Sequence, residues 1–388
     1  MESVDFSYPQ EAEQFRKDLR TWLSAHLTQN VIDSDSRRGA DDDAFQTLRA
    51  WNATMADAGW AAVSWPSDYG GRDATPVEQL VYAEETTRAR VPLPLNIIGL
   101  NNIAPAIMQY GTESQKATLL PRMLRADDIW CQGMSEPEAG SDLASLRTRA
   151  VRDGDDFVVS GQKIWTSLGH RADWCQLFVR TDPDAPKHKG ISCFIVDMSS
   201  PGIEARPLVT LSGAADFAEV FFNDVRVPAG ALLGPLNKGW HVATTTLSFE
   251  RAGAARLYAE MQLRLTDLVA DLAVNCGTGT CSLDEPSVLQ RLGELDMRIK
   301  NLEVLCQRSI SAGMHGGEPF ATASLAKSVW GEIGKDLAAL AFDTVDAGSA
   351  AQKWDEFRLT SHALTIAGGT TQINKNITAQ RVLGLPRS

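Results

Sequence analysis

Helical spacing of the hydrophobic positions runs from the N-terminus to about residue 128. Phe15, Leu19 and Leu23 fall on one face of a predicted helix. A turn-rich segment over residues 59–71 interrupts the pattern, and helical spacing resumes after it. We therefore predict an N-terminal α-helical domain over residues 1–128.

Short β-type runs separated by turns replace the helical spacing between residues 129 and 235. The sequence Asp153-Gly154-Asp155-Asp156 lies between two such runs and is a hairpin signal. Further predicted strands cover residues 174–180, 191–196, 203–208 and 220–227. A block of strands without helices is typical of a small antiparallel barrel or sandwich, which we predict as a middle β domain over residues 129–235.

Long helical stretches follow from about residue 236 to the end of the sequence. Apolar residues at helical spacing predict helices around residues 263–274, 289–305 and 324–345, and a fourth helix follows the Gly368-Gly369 break. Four antiparallel helices most simply form a four-helix bundle, so we predict a C-terminal helical bundle domain over residues 236–388. The fold class expected for the whole chain is α+β.

The charge of the chain bears on its partners. The 388 residues include 37 basic and 49 acidic side chains, a formal net charge of −12. Nucleic acid and anionic membrane surfaces attract basic proteins, so this balance argues against both as main partners. Residues 91–112 carry no formal charge, but their prolines and amides fit a buried segment better than a membrane span.

The compartment is predicted from the N-terminus and the cysteines. The first residues form neither the basic nor the apolar part of a secretory signal. The six cysteines show no CxxC spacing and are most simply free thiols of a reducing compartment. We expect a cytoplasmic protein.

Several common catalytic motifs are absent from the sequence. It contains no G-x-x-x-x-G-K-[ST] loop, no G-x-G-x-x-G between strand and helix, no G-x-S-x-G nucleophile elbow and no H-E-x-x-H. A metal site built from histidines is therefore not expected. If the protein is an enzyme, we expect it to rely on a cofactor that is bound without these motifs.

Two segments, at residues 130–142 and 161–167, carry the most specific motifs. They read W-C-Q-G-M-S-E-P-E-A-G-S-D and G-Q-K-I-W-T-S, and residues 369–374 and 381–386 add G-T-T-Q-I-N and R-V-L-G-L-P. With helices on both sides of a strand block, these motifs resemble the acyl-CoA dehydrogenase family over essentially the whole chain. The resemblance implies an FAD-dependent enzyme of fatty acid or lipid metabolism that converts an acyl-CoA thioester into a trans-2-enoyl-CoA.

The resemblance also implies which residues bind the cofactor. In the family the matching segments line the flavin, which implies FAD contacts at Gln132, Met134, Ser135, Gly140, Ser141, Trp165, Thr166 and Ser167, and tail contacts at Thr370 and Gln372. Hydroxyls and backbone N–H groups can meet the polar edge of a flavin, and an indole can cover its apolar face. The alternative is that the first segment only shapes a turn and that Trp165 belongs to the core.

The catalytic base departs from the commonest family pattern. Many members carry a glutamate just before a Gly-Thr in the loop ahead of the last helix, and this sequence has Gly368 there. Branches similar to isovaleryl-CoA dehydrogenases take the base from a Glu-Arg pair on an early helix of the C-terminal domain, and actinobacterial steroid- or terpenoid-type enzymes look similar to this chain.

The resemblance therefore implies Glu250 as the base that removes the α-proton while hydride leaves Cβ for the flavin. It also implies Ser141, Arg251 and Gly368 as substrate-binding residues, the last through its backbone N–H. The alternative for Glu250 is an exposed helix carboxylate without a catalytic role.

The partners implied by the resemblance are an acyl-CoA substrate and an electron-transfer flavoprotein or similar acceptor. A homodimer or homotetramer is expected. The family's Arg-x-x-Phe-Gly and Gly-Gly-x-Gly flavin contacts are not recognisable in residues 276–286 and 346–352, so a heterotetramer with a related subunit is the alternative.

Two other functions stay open at the level of the sequence. One is a non-catalytic or partner subunit of a heteromeric acyl-CoA dehydrogenase. The other is a relative that uses flavin for a different reaction or an acyl-carrier-protein substrate. A flavin spectrum separates the enzyme from an empty scaffold, and bleaching by an acyl-CoA separates it from the second alternative.

Overall fold

The computed structural model describes residues 8–252, 255–275, 281–314, 319–345 and 349–386. Before the strands lie helices α1 (Gln10–His26), α2 (Gln29–Ser34), α3 (Asp42–Asp57), α4 (Pro76–Arg88), α5 (Ala104–Tyr110) and α6 (Glu113–Arg125). The strands are β1 (Trp130–Gly133), β2 (Arg149–Asp153), β3 (Asp156–Ser167), β4 (Trp174–Arg180), β5 (Ile191–Asp197), β6 (Ile203–Leu208) and β7 (Phe217–Pro228). After them lie α7 (Gly239–Ala252), α8 (Ala255–Asn275), α9 (Pro286–Met314), α10 (Pro319–Thr344), α11 (Ser349–Ser361) and α12 (Thr371–Arg381).

The chain divides into two compact units, and each is made of separated segments. The first, which we call the helical unit, contains Met1–Leu27, Ala74–Val91 and Arg251–Ser388. The second, the sheet unit, contains Thr28–Asp73 and Pro92–Glu250. The domain boundaries after residues 128 and 235 follow the order of the chain and stay predictions.

A seven-stranded sheet lies at the centre of the described part of the sheet unit. Its order is β1-β4-β2-β3-β7-β6, and β5 pairs with β4. Apolar side chains such as Val159, Leu177 and Phe222 form its core. The α+β class is confirmed, with one difference: β1 and β2 both pair with β4 in parallel, where only antiparallel pairing was predicted. Local patterns could not report the pairing of β1, because β1 has four residues and its partner lies far along the chain.

The predicted hairpin joins β2 to β3. Asp153 ends β2 and pairs with Asp156, which begins β3. Gly154 in the turn has φ +63°, a left-handed value that glycine adopts without a penalty from a Cβ. The turn thus fixes the register of β3, whose far end carries the second of the two specific motifs.

The core of the helical unit is formed mainly by α8, α9, α10 and α11. Leu268, Leu302 and Leu337 are fully buried there, and α4 packs against α8. The helical C-terminal part is confirmed. Helix α11 was not predicted, because Trp354 and Phe357 are the only buried apolar side chains among its described residues and polar residues separate them.

The cysteines agree with the prediction at four positions and differ at one. Cys131, Cys175, Cys193 and Cys306 are buried free thiols. Cys281 is disulfide-bonded, so the prediction of free thiols throughout is wrong there. The sequence argument considered only CxxC spacing, whereas a disulfide depends on how closely the chain brings two Cα atoms together.

The uncharged segment over residues 91–112 is buried, as predicted. Leu95, Leu100 and Ile103 have at most 2% of their surface exposed. A π-helical turn, Ile98–Ile103, leads into the short α5. Among the described residues, no helix is both long enough and apolar enough to cross a membrane.

A buried carboxylate on α4 should make stability depend on pH. Glu85 is 1% exposed and accepts hydrogen bonds from Arg16 (2.8 Å), Arg20 (2.7 Å) and Arg88 (2.6 Å). Burial alone would raise the pKa of Glu85, but the three guanidinium groups outweigh it and lower the pKa from 4.5 to about 2. Because the folded-state pKa is depressed, the contribution of Glu85 is complete above about pH 4.5 and is lost as the pH falls towards 2.

We therefore expect Glu85→Gln to lower the free energy of unfolding at neutral pH, and the gap to the parent protein to shrink between about pH 5 and pH 2. Urea titrations of both proteins across this range measure the gap. A gap that stays constant down to pH 2 would contradict the assignment.

Candidate active site

Asn96 anchors the start of the first cofactor segment. Its side chain is buried, and its Nδ2 donates to the carbonyls of Met123 (2.8 Å) and Asp128 (3.0 Å). Its Oδ1 accepts from the backbone N–H of Trp130 at 2.9 Å, where β1 begins. One buried amide thus holds the uncharged segment, the end of α6 and the beginning of β1 together.

The segment that follows β1 closes into a tight turn. The backbone N–H groups of Glu136 and Ala139 donate to each other's carbonyls at 3.0 Å. The Glu136 carboxylate accepts from the backbone N–H groups of Arg147 (2.6 Å) and Thr148 (2.8 Å). The segment does shape a turn, and this turn leaves Gly140 and Ser141 on an exposed loop. Its contacts with the flavin stay a prediction.

Lys163 connects the two motif segments through its buried side chain. Its side chain is fully buried, and its Nζ donates to Glu136 Oε1 at 2.9 Å and to the carbonyl of Met134 at 3.0 Å. The backbone N–H of Ile164 donates to the carbonyl of Ser135 at 2.9 Å. The structure thus brings β1 with its turn and the end of β3 side by side.

The charges of this pair support each other. Burial lowers the pKa of the Lys163 ammonium, and the adjacent Glu136 carboxylate opposes that effect. For Glu136, burial acts to raise the pKa, but the charge and the hydrogen bond of Lys163 lower it below the usual value. The two opposite charges therefore stabilise each other, and removal of either side chain would leave the other without its partner in a buried site.

Trp165 lies at an irregularity in β3. The pairing of β3 with β7 shifts register between Lys163 and Thr166, and Trp165 takes φ +59°. Its indole is 58% exposed and meets the Phe217 ring edge-to-face at 5.9 Å. A non-glycine residue in this conformation costs about 1–3 kcal/mol, and such strain clusters at functional sites. The alternative that Trp165 is a core residue is wrong.

The groups around Trp165 suit the polar edge and the flat face of a flavin. Ser135 and Ser167 are half-buried, and the buried Thr166 Oγ1 has no partner among the described residues. Above Gly140 the space is open, since a Cβ built there meets no atom within 4 Å. Hydroxyls able to donate and accept, next to an exposed indole face, fit an isoalloxazine.

Gln132 and Met134 play different parts in the first segment. The Gln132 amide donates to Gln176 Oε1 at 3.0 Å. The Met134 side chain is buried, and its backbone carbonyl accepts a hydrogen bond from Lys163 Nζ.

The remaining predicted residues lie in α7 and around the start of α12. Glu250 and Arg251 belong to α7, and their side chains lie outside the described residues. Gly368 has φ +66° and Gly369 φ +91° in the loop before α12. Thr370 Oγ1 accepts from the N–H of Ile373 at 3.2 Å and caps α12.

This loop is held by α10 and α12. Lys327 Nζ donates to the carbonyls of Leu364 (2.7 Å) and Gly369 (3.2 Å), and Asn374 Nδ2 donates to that of Gly369 (2.8 Å). The Gln372 side chain is exposed. Two family motifs are missing from residues 276–286 and 346–352, and within these regions residues 276–280 and 346–348 lie outside the described residues.

Glu136 and Lys163 were not predicted as site residues. A signal for Lys163 was available: Phe157, Val159 and Lys163 alternate on the inward side of β3, where a lysine needs a buried partner. The identity of that partner depends on the turn after β1, which the pattern does not describe.

Comparison with known proteins places the chain in a family. Acyl-CoA dehydrogenase models match over residues 9–127 (N-terminal domain), 131–225 (middle domain) and 237–383 (C-terminal domain). Acyl-CoA dehydrogenase IpdE1 of Mycobacterium tuberculosis is 35% identical over 392 residues, covering 97% of this chain and 99% of that protein.

Two solved structures share the fold. The Tcur3481-Tcur3483 steroid ACAD is 32% identical with a TM-score of 0.86, covering 99% of this chain and 100% of that one. The ChsE4-ChsE5 complex from Mycobacterium tuberculosis is 31% identical with a TM-score of 0.84, at 99% and 100% coverage.

The matching family models and relatives define an oxidoreductase of the flavoprotein class. The chain belongs to the acyl-CoA dehydrogenase family, whose members use FAD to dehydrogenate acyl-CoA thioesters. The predictions of the family, the enzyme class and the cofactor are thereby confirmed.

Proposed function

We propose that this chain oxidises the Cα–Cβ bond of an acyl-CoA to a trans-2-enoyl-CoA, with Glu250 as the base. The observation that carries the proposal is the contact of the two motif segments through Lys163, which leaves the Trp165 indole exposed beside half-buried hydroxyls. A ring surface and hydrogen-bonding groups thus lie together on a backbone fixed by buried hydrogen bonds, which is the arrangement that pre-organised catalysis requires.

The residues that would hold the flavin ring lie in the sheet unit. Ser135, Thr166 and Ser167 supply hydroxyls for its polar edge, and Trp165 covers its face. The backbone of residues 132–141, which includes the turn held by Glu136, contacts the rest of the ring. Thr370 and Gln372 are proposed for the FAD tail. Bound FAD supplies the acceptor for the hydride that leaves Cβ.

The chain's own groups handle the proton and the thioester. The Glu250 carboxylate removes the α-proton, and the Gly368 N–H donates to the thioester carbonyl, where negative charge develops as the proton leaves. Ser141 contacts the acyl chain next to the thioester, and Arg251 binds the substrate or holds the loop of Gly368.

The substrate, acceptor and assembly are proposed from the relatives. A steroid enzyme among the similar structures supports a substrate in which the acyl group of the acyl-CoA is attached to a large ring system. We propose an electron-transfer flavoprotein or similar acceptor, and an oligomer that is either a homomer or, as in the ChsE4-ChsE5 complex, built from two kinds of subunit. The four free thiols support the cytoplasm as the compartment, whereas the disulfide at Cys281 counts against it.

The proposal predicts a yellow protein that acyl-CoA bleaches. Heat should release a flavin that co-elutes with FAD in chromatography, because no covalent attachment is proposed. A panel of straight, branched and steroid-side-chain acyl-CoA thioesters, added without oxygen, should then bleach the bound flavin. We expect the bulky thioesters to react fastest. FAD that no thioester bleaches would contradict dehydrogenation and favour a different flavin reaction.

A second candidate function is a partner subunit of a heteromeric dehydrogenase. Gly368 favours it, because the commonest position of the catalytic base carries no side chain. A protein that stays colourless with FAD alone, but forms a yellow, active complex with a related chain, would support this candidate over the first.

A further inference from the structure

Gln176 is a polar residue in the middle of an apolar strand. It is fully buried in β4, where its neighbours Cys175 and Leu177 are fully buried as well. Both ends of its amide are used: Oε1 accepts from Gln132 Nε2 at 3.0 Å, and Nε2 donates to Thr246 Oγ1 at 3.2 Å. A buried amide costs free energy unless it is satisfied, and here it is satisfied across three separate elements.

These two hydrogen bonds connect the first motif segment with α7. Gln132 belongs to β1, and Thr246, which is fully buried, belongs to α7. A second contact holds the same turn of α7, because Thr245 Oγ1 and the Tyr110 hydroxyl of α5 lie 3.0 Å apart. The turn of α7 around Thr246 is therefore fixed against β4 and α5.

Glu250 follows Thr246 by four residues in α7. Positions four apart lie on the same face of a helix, one turn from each other. A shift or rotation of α7 at Thr246 therefore moves the position of Glu250 by a similar distance. The amide of Gln176 thus fixes the turn of α7 that precedes Glu250 in relation to β1, the strand of the first flavin segment.

We propose that Gln176 is a positioning residue for α-proton abstraction: it acts through Thr246 and sets the place of Glu250. This inference rests on the proposed function of Glu250 and of the β1 segment. A misplacement of about 1 Å can cost roughly 10²-fold in rate. Loss of the link should therefore slow the reduction of bound flavin by about 10- to 100-fold without weakening substrate binding.

The hydrogen bond between Gln176 and Thr246 can be removed by substituting either residue, without a large change in side-chain size. Gln176→Met removes both hydrogen bonds, and Thr246→Val removes the hydroxyl but keeps the branched shape. Thr246→Ser keeps the hydroxyl and should restore most of the rate. Thr87→Val is the control, because Thr87 Oγ1 is buried without a partner in the described structure and far along the chain from the site.

Single-turnover bleaching per bound FAD, with the best acyl-CoA of the panel, measures the rate and the apparent dissociation constant separately. We expect Gln176→Met and Thr246→Val to lower the rate and leave the dissociation constant unchanged, while Thr246→Ser and Thr87→Val stay near the parent rate. A parent rate in Thr246→Val would overturn the proposal, even if Gln176→Met failed to fold.

A double-mutant cycle that combines Thr246→Val with Glu250→Gln tests whether the hydrogen bond between Gln176 and Thr246 acts through the base. In the Glu250→Gln background, Thr246→Val should have no further effect on the rate, because the group it positions is already gone. Equal effects in both backgrounds would assign the slowing to general damage and overturn the proposal. If the parent flavin is bleached by acyl-CoA but Glu250→Gln has no effect, the proposed base is wrong and the positioning role falls with it.

Discussion

Glu250→Gln is expected to lower the turnover of the best acyl-CoA by at least about 10²–10⁴-fold, the usual contribution of a general base. The α-proton of a thioester is weakly acidic, so its removal near neutral pH needs a positioned carboxylate. Glutamine keeps the size and the hydrogen-bonding capacity of the side chain but cannot take the proton. FAD content and thermal unfolding should stay at the parent values.

The matched control is Glu260→Gln on the following helix, α8. Glu260 accepts a hydrogen bond from Arg264 at 3.0 Å within its own helix, and we assign it no catalytic role. Glu260→Gln should therefore leave turnover unchanged. Wild-type turnover in Glu250→Gln would show that the base lies elsewhere or in a partner subunit.

A glutamate placed at position 368 tests whether the two sources of the base are interchangeable. In the Glu250→Gln background, Gly368→Glu should restore part of the activity if the loop accepts a side chain. The recovery should be incomplete, because Gly368 has φ +66°, a conformation that is unfavourable for any residue with a Cβ.

Lys163→Met is expected to lower the free energy of unfolding by about 3–5 kcal/mol and to abolish FAD binding. The substitution leaves Glu136 as a buried carboxylate without its cation, which is the costly way to break a buried ion pair. It also releases the Met134 carbonyl from the second motif segment. Urea unfolding of the protein freed of FAD measures the first effect, and FAD fluorescence quenching measures the second.

Two further variants distinguish the effect of breaking the buried Glu136–Lys163 pair from the effect of losing a charge elsewhere. Lys163→Met combined with Glu136→Gln should recover much of the stability, since no unpaired charge remains. Glu138→Gln breaks the exposed Arg147–Glu138 pair, whose side chains are 79% and 74% exposed, and should cost only about 0–1 kcal/mol. A Lys163→Met protein as stable as the parent would contradict the role of the pair.

The local pattern predicted most elements, and its failures have identifiable causes. The strands from β2 to β7 and the hairpin at Gly154 follow from alternation and turn chemistry, which act over a few residues. Strand β1 escaped the prediction because it has only four residues and pairs with a strand distant in sequence, and α11 escaped it because Trp354 and Phe357 are its only buried apolar side chains among the described residues. The disulfide of Cys281 was missed because spacing along the chain does not report the approach of two Cα atoms.

The sequence alone determined the family, the cofactor class and the identity of the motif residues, because long specific motifs keep their residue types whatever surrounds them. The tertiary structure alone decided how these residues are held: the ion pair of Glu136 with Lys163, the left-handed backbone of Trp165, and the amide link from Gln132 through Gln176 to α7. The physical reason is that a buried polar group must be satisfied by whichever group the fold brings within about 3 Å. That partner comes from another element, and its distance along the chain carries no signal in the local pattern.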